Sequence, residues 1–445
     1  MAVGREGAVG REGAVGWEAA LSCSQTSGCE MLTERVEQYP GCRVTGAEAA
    51  PMSHPPGTLG WSCRAQSRPR RCPCPQVSMQ YNPGWNGSSV NLLHVRAAGP
   101  GDSLHYVWSS IGAPAVLLVA TQSPSSALRV NWTQLLSASP AGAIWIDPPD
   151  SVVYSTAVVF TKLFEFSEAK PSGELFYPTY DLSEFSWDSL NHTLNHTALT
   201  AELRGGPATD PGSSFSNGSL AFRVTAYEAG GREGRLPSLL HTADSSQLEF
   251  LLAGVAPRGN SSRFLLEVAT VEEAGAVRRL RSERSIDDEY TPTIFEVLSL
   301  VAEPQNGSST LGFLQWKATA YGSRSPRRED GIQCRAQGLQ AANWSLPVSS
   351  SIVQAYFGDS LGSTCTVSAL NVSFGGEEGE VYREKRYLSW SVLLGFGEPP
   401  RDTFSPLVIS ITAVALGTPV AMLLLGGCLV LLAQRRRYTE YEPIN

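Results

Sequence analysis

One string in the sequence has the pattern of a catalytic nucleophile. Residues 358–362, GDSLG, match G-x-S-x-G, in which Ser360 would stand on a sharp turn between a strand and a helix. IVQAYF can supply the strand, but STCTVSALNVSFG follows the serine side, and the last histidine is His241. The nucleophile elbow needs a helix after the serine and a histidine later in the chain. We therefore interpret the string as a turn between two strands and predict no catalytic residue.

Two further groups of residues have the types that bind metals. His192 and His196 lie in adjacent NHT strings, and an i,i+4 histidine pair ligates zinc only on a helix. NHT is also an N-glycosylation signal, and glycans on the two asparagines would crowd a metal bound between these histidines. The acidic run Asp287, Asp288 and Glu289 lacks the alternating ligands and the turn glycine of a calcium loop. The sequence therefore predicts no metal and no cofactor at either place.

Composition limits the class of protein. The chain has 445 residues, of which 42% are hydrophobic and 17% charged, enough for two or three globular domains. The formal net charge of -8 argues against a nucleic-acid partner, since phosphate binding requires a basic surface.

The elements that would position any site are mostly β. From Val77 onward, short runs such as AVLLVAT, SLAFRVTAY, RFLLEVATV and RYLSWSVLL alternate with Gly, Pro and Asn, while helix signals are weak. We predict a mostly β fold with two tandem antiparallel β-sandwich or prism-like lumenal domains, 76–233 and 234–404, divided near AGGREGRLPS. The basic strings AVRRLRSERSIDDEY and GSRSPRRED are interpreted as solvated loops; for the first, a protease-sensitive connection is the alternative.

A C-terminal segment has the composition of a membrane span. Residues 406–433 contain no charged residue and no histidine, and they exceed the roughly 20 residues that cross a bilayer. A buried core helix of this length would show a polar stripe, so we predict a transmembrane helix over 405–433. Arg435, Arg436 and Arg437 follow at once, which places the tail, 434–445, in the cytosol and the preceding chain in the lumen.

Glycosylation signals agree with that orientation. Nine N-x-S/T strings lie on the side of the span that the arginines indicate to be lumenal, and none has proline at the middle position. They predict a densely N-glycosylated ectodomain. The acceptors are Asn86, Asn131, Asn191, Asn195, Asn217, Asn260, Asn306, Asn343 and Asn371.

The first 75 residues do not fit a lumenal protein. They contain no apolar stretch of a signal peptide and repeat AVGREG, so we interpret 1–75 as disordered and as the replacement of a signal sequence. Six of the nine cysteines lie in this leader and Cys428 lies in the span. Cys334 and Cys365 remain in the ectodomain, and in an oxidising lumen we expect them to form a disulfide.

The predicted span has a face of small side chains. Ala413, Gly417 and Ala421 recur every four residues, which allows another helix to approach closely. The alternative is that Gly417 only accompanies a kink at Pro419. If the face packs, its partner is a membrane protein, with a homodimer as one form of that contact.

Several strings resemble a known family. VNLLHVRAAG, LHYVWSSIGAPAVLLVAT, LLHTAD, RSIDDEY and RRRYTEYEPIN closely resemble the glycosylated lysosomal membrane proteins of vertebrates, over about residues 77–445. The resemblance implies a non-enzymatic type I lysosomal protein. It would act as the accessory subunit of a major facilitator superfamily transporter, an exporter of dipeptides, and shield it from lumenal proteases. Family members would also carry a cysteine near Ser246, which this chain lacks. A membrane-anchored lysosomal hydrolase or a lumenal receptor is the alternative function.

The last residues fit a sorting signal. YEPI, with Tyr441 and Ile444, matches the Y-x-x-Φ pattern that clathrin adaptor complexes bind as an extended peptide beside a sheet edge. Tyr438 lacks the apolar partner, because position 441 is tyrosine. The tail is short, predicted to be cytosolic and essentially terminal, so we assign Tyr441 and Ile444 to lysosomal sorting.

Replacing this tyrosine tests the sorting prediction. We expect Tyr441→Ala to raise the cell-surface fraction severalfold, measured by surface biotinylation, because the adaptor loses the side chain that fills its tyrosine pocket. Tyr438→Ala is the matched control and should leave the distribution unchanged. Unchanged lysosomal delivery of Tyr441→Ala would contradict the assignment.

Overall fold

The computed structural model describes residues 76–87, 90–169, 173–273, 275–286, 294–305, 309–341, 352–359, 361–375, 380–402 and 406–438. The strands in these ranges are β1 (Gln76–Tyr81), β2 (Leu92–Ala98), β3 (Ser103–Ser109), β4 (Ala115–Thr121), β5 (Ala127–Val130), β6 (Ile144–Asp147), β7 (Val152–Ala169), β8 (Gly173–Phe176), β9 (Tyr180–Asp181), β10 (Phe185–Trp187), β11 (Thr200–Pro207), β12 (Ser219–Ala226), β13 (Gly231–Arg232), β14 (Leu240–His241), β15 (Ser246–Ala253), β16 (Arg263–Glu273), β17 (Ala276–Ile286), β18 (Ile294–Pro304), β19 (Gly312–Lys317), β20 (Thr319–Tyr321), β21 (Gly331–Ala341), β22 (Cys365–Phe374) and β23 (Tyr387–Phe396). The helices are α1 (Trp132–Leu135), α2 (Ile352–Phe357), α3 (Leu361–Thr364), α4 (Glu380–Lys385) and α5 (Pro406–Tyr438), with short 3₁₀ turns at Pro149–Ser151, Leu182–Glu184, Leu190–His192 and Arg328–Asp330.

Most of the strands form two antiparallel sheets. In the first sheet, β1, β2, β3, β4, β7, β16, β22 and β21 lie side by side in that order. The second sheet has the order β10, β11, β12, β15, β23, β19, β18 and β17. The short strand β20 pairs with both β21 and β23 and so connects the sheets. The prediction of a mostly β, antiparallel fold with one C-terminal apolar helix is confirmed.

The two sheets pack face to face around one large core. Alternating residues point inward, as in β12, where Leu220, Phe222 and Val224 are buried in this core. Rings meet across the interface: Phe160 of the first sheet and Phe222 of the second have centroids 4.9 Å apart. Trp390 of β23 packs in the same cluster. Both sheets therefore contribute side chains to one core.

A second layer covers the outer face of the first sheet. Leu117 and Val119 of β4 point away from the main core and pack with Trp132, Ile144 and Ile352, from α1, β6 and α2. All seven residues of β4 are buried for this reason, which explains why AVLLVAT shows no alternation of apolar and polar residues.

The strand pairing does not follow the predicted domain boundary. Strand β12 lies before AGGREGRLPS and β15 after it, yet the two pair over eight residues. The first sheet likewise pairs β7, from the predicted domain 76–233, with β16, from 234–404. Strands from both halves thus share each sheet, and tandem sandwiches divided at 233/234 are not what the pairing shows.

Two local predictions were wrong. IVQAYF is the helix α2 instead of a strand, because Ile352, Val353 and Ala355 are buried against the outer face of the first sheet. The basic string after Gly275 is the long strand β17 instead of a solvated loop, paired with β18 over its whole length. Within the described ranges β17 pairs with β18 alone, and charged side chains that are exposed, such as Arg279 and Arg284, suit a sheet edge. Asp287, Asp288 and Glu289 lie outside the described residues.

A buried ion pair ties the sheets together where β16 leads into β17. The side chains of Glu272 and Arg278 are each 1% exposed, and Arg278 Nε donates to Glu272 Oε1 at 2.6 Å. Tyr154 and Thr156 of β7 also donate to this carboxylate, both at 2.6 Å. Arg278 Nη1 donates to the Leu300 carbonyl of β18 at 3.0 Å. The cluster therefore links both sheets through well-satisfied hydrogen bonds.

Removing the buried carboxylate charge tests this link. We expect Glu272→Gln to lower the free energy of unfolding by about 3–5 kcal/mol, because Arg278 stays buried without a counter-charge. The matched control is Glu283→Gln on β17, whose ion pair with Arg401 has side chains 52% and 55% exposed. It should cost at most about 1 kcal/mol in the same denaturant titration. Equal losses in the two variants would contradict the account.

Candidate functional site

The predicted glycan acceptors lie mostly at the surface. Six of them are exposed: Asn86, Asn131, Asn191, Asn195, Asn217 and Asn260. Asn371 is half-buried in β22 between β16 and β21, and its Oδ1 is buried without a hydrogen-bond partner among the described residues. Asn306 and Asn343 lie outside the described ranges. Glycosylation at the nine positions stays a prediction, and six of the side chains are accessible to carry it.

Two acceptors are held by local hydrogen bonds that leave the amide nitrogen in place for a sugar. Asn131 is the N-cap of α1, and its Oδ1 accepts from the Gln134 backbone N–H at 3.2 Å. Asn195 Oδ1 accepts from the backbone N–H groups of Thr197 and Ala198 at 3.0 and 2.9 Å. In both cases the oxygen is anchored, so the position of Nδ2, the atom that N-glycosylation modifies, is fixed as well.

The catalytic-looking string does not sit after a strand. Gly358 follows helix α2 with φ +80°, and α3 begins at Leu361; Ser360 itself lies outside the described residues. The predicted turn between two strands is therefore a connection between two short helices. His192 ends the 3₁₀ turn Leu190–His192 and His196 lies in the next turn, so the two histidines do not share a helix.

The predicted disulfide is wrong. Cys334 and Cys365 are both free thiols, the first buried and the second half-buried. Cys334 of β21 lies opposite Phe374, at the far end of β22 from Cys365. Nine residues of strand separate those two ends, about 30 Å. A disulfide requires Cα atoms about 4.4–6.8 Å apart, so strand register excludes the bond.

The apolar C-terminal helix is long enough to cross a membrane. The part of α5 over Ile409–Arg436 has a mean hydropathy of 2.2 in its apolar window, and its side chains are exposed. Ala413, Gly417 and Ala421 lie among them, and a Cβ added at Gly417 would meet no atom within 4 Å. Thr418 Oγ1 donates to the Val414 carbonyl at 2.6 Å, one residue before Pro419. The small-residue face is exposed like the other described side chains of α5, and its use for packing stays a prediction.

A buried histidine and hydroxyl cluster was missed by the sequence analysis. His94 Nε2 lies 2.9 Å from His105 Nδ1, and their rings stack with centroids 5.1 Å apart. His105 Nε2 lies 2.8 Å from Ser126 Oγ, which also contacts the hydroxyls of Ser103 and Thr121. All five side chains are buried. The detectable signal was alternation: Leu93 and Val95 face the core, so a histidine between them must face the other side.

Burial keeps both imidazoles neutral. It lowers the pKa of His94 from 6.5 to about 4, with a further contribution from the Arg96 charge. It lowers the pKa of His105 from 6.5 to about 2, with contributions from His94 and Arg96. A histidine and a serine within hydrogen-bond distance are components of a nucleophile–base pair. Here Ser126 is 1% exposed and His105 fully buried, so no substrate reaches them.

Comparison with known proteins identifies the family. The sequence profile of the family described as "Glycosylated lysosomal membrane protein" matches residues 91–437. Glycosylated lysosomal membrane protein A of Xenopus laevis is 51% identical over 377 residues, which is 83% of this chain and 93% of that relative. The human protein of the same description is 47% identical over 378 residues, 83% of this chain and 90% of the relative, and the mouse protein is 46% identical over 376 residues, again 83% and 90%.

The chain belongs to the glycosylated lysosomal membrane protein family. The resemblance seen in the sequence is thereby confirmed. The family is described as a membrane glycoprotein and not as an enzyme. One apolar helix and the exposed acceptor asparagines are what such a protein requires.

The buried histidines predict how stability depends on pH. In the unfolded chain an imidazole gains a proton as pH falls below about 6.5, whereas the folded chain resists protonation of His94 until about pH 4. Between these values the unfolded state binds more protons, so stability falls as pH falls. From about pH 7.5 to about pH 5, each buried histidine should cost about 2 kcal/mol.

Variants separate this effect from general destabilisation. His94→Gln and His105→Gln should each reduce the difference between the unfolding free energies at the two pH values by about 2 kcal/mol, whatever their absolute stability. The exposed His196→Gln is the control and should keep the wild-type difference. If both buried variants keep it too, the folded protein accepts the protons and the account fails.

Proposed function

We propose that this protein is a type I lysosomal membrane glycoprotein that acts as the accessory subunit of a major facilitator superfamily transporter, an exporter of dipeptides. In this proposal it stabilises the transporter in the membrane and protects it from lumenal proteases. The substrate class comes from the family resemblance alone.

The observation that carries the proposal is a face of small side chains, four residues apart, on an apolar helix long enough to cross a membrane. Ala413, Gly417 and Ala421 line one side of α5, whereas exposed Leu, Val, Ile and Met side chains surround it. Helices in a bilayer gain little from hydrophobic burial and associate through close van der Waals packing at such faces. A polytopic membrane protein offers many helices for that contact, which favours a transporter as the partner.

The ectodomain supports the protective part of the proposal. Its two sheets share a continuous core, so few backbone segments open easily to proteases. Six exposed acceptor asparagines are distributed over loops and helix ends from Asn86 to Asn260, and glycans there would be bulky and solubilising. Arg435 and Arg436 at the end of α5 support a cytosolic tail and a lumenal ectodomain.

A membrane-anchored hydrolase is the weaker candidate. The buried Ser126 and His105 are inaccessible, and the elbow-like string lacks the preceding strand.

A lumenal receptor would need a binding cleft, and the structure has one of about 500 Å³ between β18, β20 and β21. That cleft is lined by side chains of mixed character, among them Glu296, Leu298 and Arg335.

A matched pair of helix variants tests the transporter proposal. Residues 421 and 415 both carry alanine, but at 100° per residue Ala415 lies on the side of α5 opposite the small-residue face. In cells lacking this protein we expect the transporter to be depleted. Ala421→Ile should restore it at least about fivefold less well than wild type, which corresponds to losing about 1 kcal/mol of packing.

The same substitution on the opposite side of the helix is the control. Ala415→Ile makes the same chemical change and should restore the transporter as wild type does, measured by its abundance and by co-purification in mild detergent. Equal rescue by the two variants would contradict docking through this face. If Ala421→Ile instead separates two copies of this chain and leaves the transporter unchanged, the face serves a homodimer.

A further inference from the structure

Two predicted glycan acceptors flank one pair of stacked tryptophans. The indole rings of Trp85 and Trp132 have centroids 5.6 Å apart and planes 23° apart. Trp85 directly precedes Asn86, and Trp132 directly follows Asn131. The ring contact therefore brings two acceptors, distant in sequence, to the same part of the surface. We call Trp85 and Trp132 the aromatic platform.

The outer ring of the platform is exposed although it is large and apolar. Trp85 is 37% exposed, whereas Trp132 beneath it is 6% exposed and packs in the outer core of the first sheet. Isolated exposed apolar residues are normal on protein surfaces, but an indole held flat against another ring offers a preformed face. Such a face is a good contact for a flat apolar group.

The loop that carries Trp85 is held rigidly. Asn82 is 2% exposed, and its Nδ2 donates to the carbonyls of Gly87 and Val90 at 3.0 and 2.9 Å. Trp132 Nε1 donates to the Pro83 carbonyl at 2.9 Å, which ties the loop to α1. The indole lies so close to the backbone of Gly87 that a Cβ there would come within 2.2 Å of the Trp85 Nε1 atom. The platform is thus formed before any ligand arrives.

The nearby acceptor on α1 is equally fixed. Asn131 Oδ1 accepts the Gln134 N–H as the helix cap, and its Nδ2 lies 3.3 Å from Gln134 Oε1. A sugar on that nitrogen would begin from one defined position beside Trp132. A tethered group has a high effective concentration at its neighbour, so even a weak contact with the platform would be populated.

We propose that the exposed face of Trp85 binds the first sugars of the N-glycan carried by Asn86 or Asn131. The C–H face of a pyranose ring packs on the indole, which removes apolar surface of both from water. The first sugars of the glycan then pack against the folded ectodomain. This proposal rests on the predicted glycosylation of these two acceptors and is independent of the transporter. The position of the platform between two acceptors favours a glycan over a protein partner, because bulky sugars on both asparagines would keep a protein surface away.

Removing single glycans from the full-length protein in mild detergent tests the proposal. Thr133→Ala abolishes the acceptor string of Asn131 but keeps the asparagine cap, and Ser88→Ala abolishes that of Asn86. Thr197→Ala does the same for Asn195 and is the matched control, since Asn195 also keeps its backbone hydrogen bonds. Intact mass shows which glycan each variant has lost.

The main readout is the oxidation rate of Trp85 in footprinting by mass spectrometry. We expect a severalfold rise in Thr133→Ala or in Ser88→Ala, which identifies the glycan that covers the ring, and no rise in Thr197→Ala. The loss of that glycan should also lower the midpoint temperature of unfolding when Trp85 is present. It should not lower it in the Trp85→Ala variant, where the contact between ring and sugar is already absent.

Three results would overturn the proposal. One is an oxidation rate of Trp85 that is the same with and without both glycans. Another is the absence of sugars from both acceptors. The third is Trp85 that is protected only while a co-purifying membrane protein is bound, which would make the platform a protein contact. The transporter proposal is tested separately, by co-purification with Ala421→Ile, and does not depend on these results.

Discussion

The buried ion pair of Glu272 with Arg278 holds the point where the chain passes from one sheet to the other. Strand β16 lies in the first sheet and β17 in the second. Glu272 accepts a hydrogen bond from Tyr154 of β7, and Arg278 donates to the Leu300 carbonyl of β18. A buried pair of this kind stabilises a fold only when its remaining hydrogen bonds are satisfied, as they are here. Tyr154, which donates to Glu272, is itself part of the core that strands from both halves of the sequence bury together.

Local pattern predicted the strands that have a clear alternation of apolar and polar residues, but not which strands pair. Period-2 runs such as SLAFRVTA are strands in the structure, since their alternation reflects one buried face. IVQAYF was mistaken for a strand because its β-branched residues favour one, whereas packing against the outer face of the first sheet makes it a helix. The arginine-rich β17 was mistaken for a loop because an edge strand tolerates charge.

Features that depend on strand register lay beyond sequence reasoning. Cys334 and Cys365 looked like a pair by elimination, but their distance is set by how β21 aligns with β22. His94 and His105 likewise meet only because β2 and β3 pair in one register. The apolar C-terminal helix was predictable because it depends on one contiguous apolar segment, and six of the predicted acceptor asparagines are exposed in the structure. Occupancy of the acceptors and the role of Tyr441 stay predictions.

The described parts are two sheets around one shared core, with exposed acceptor asparagines, and an apolar helix that carries a face of small side chains. A stable lumenal cover and a docking helix are what an accessory subunit needs, whereas catalysis needs accessible polar groups that converge in a pocket. The most direct measurement is the native mass of the complex after gentle solubilisation from lysosomal membranes, with glycans trimmed. The account predicts a particle that contains this chain together with a polytopic transporter. A particle with the mass of this chain alone, or of two copies of it, would contradict the central claim.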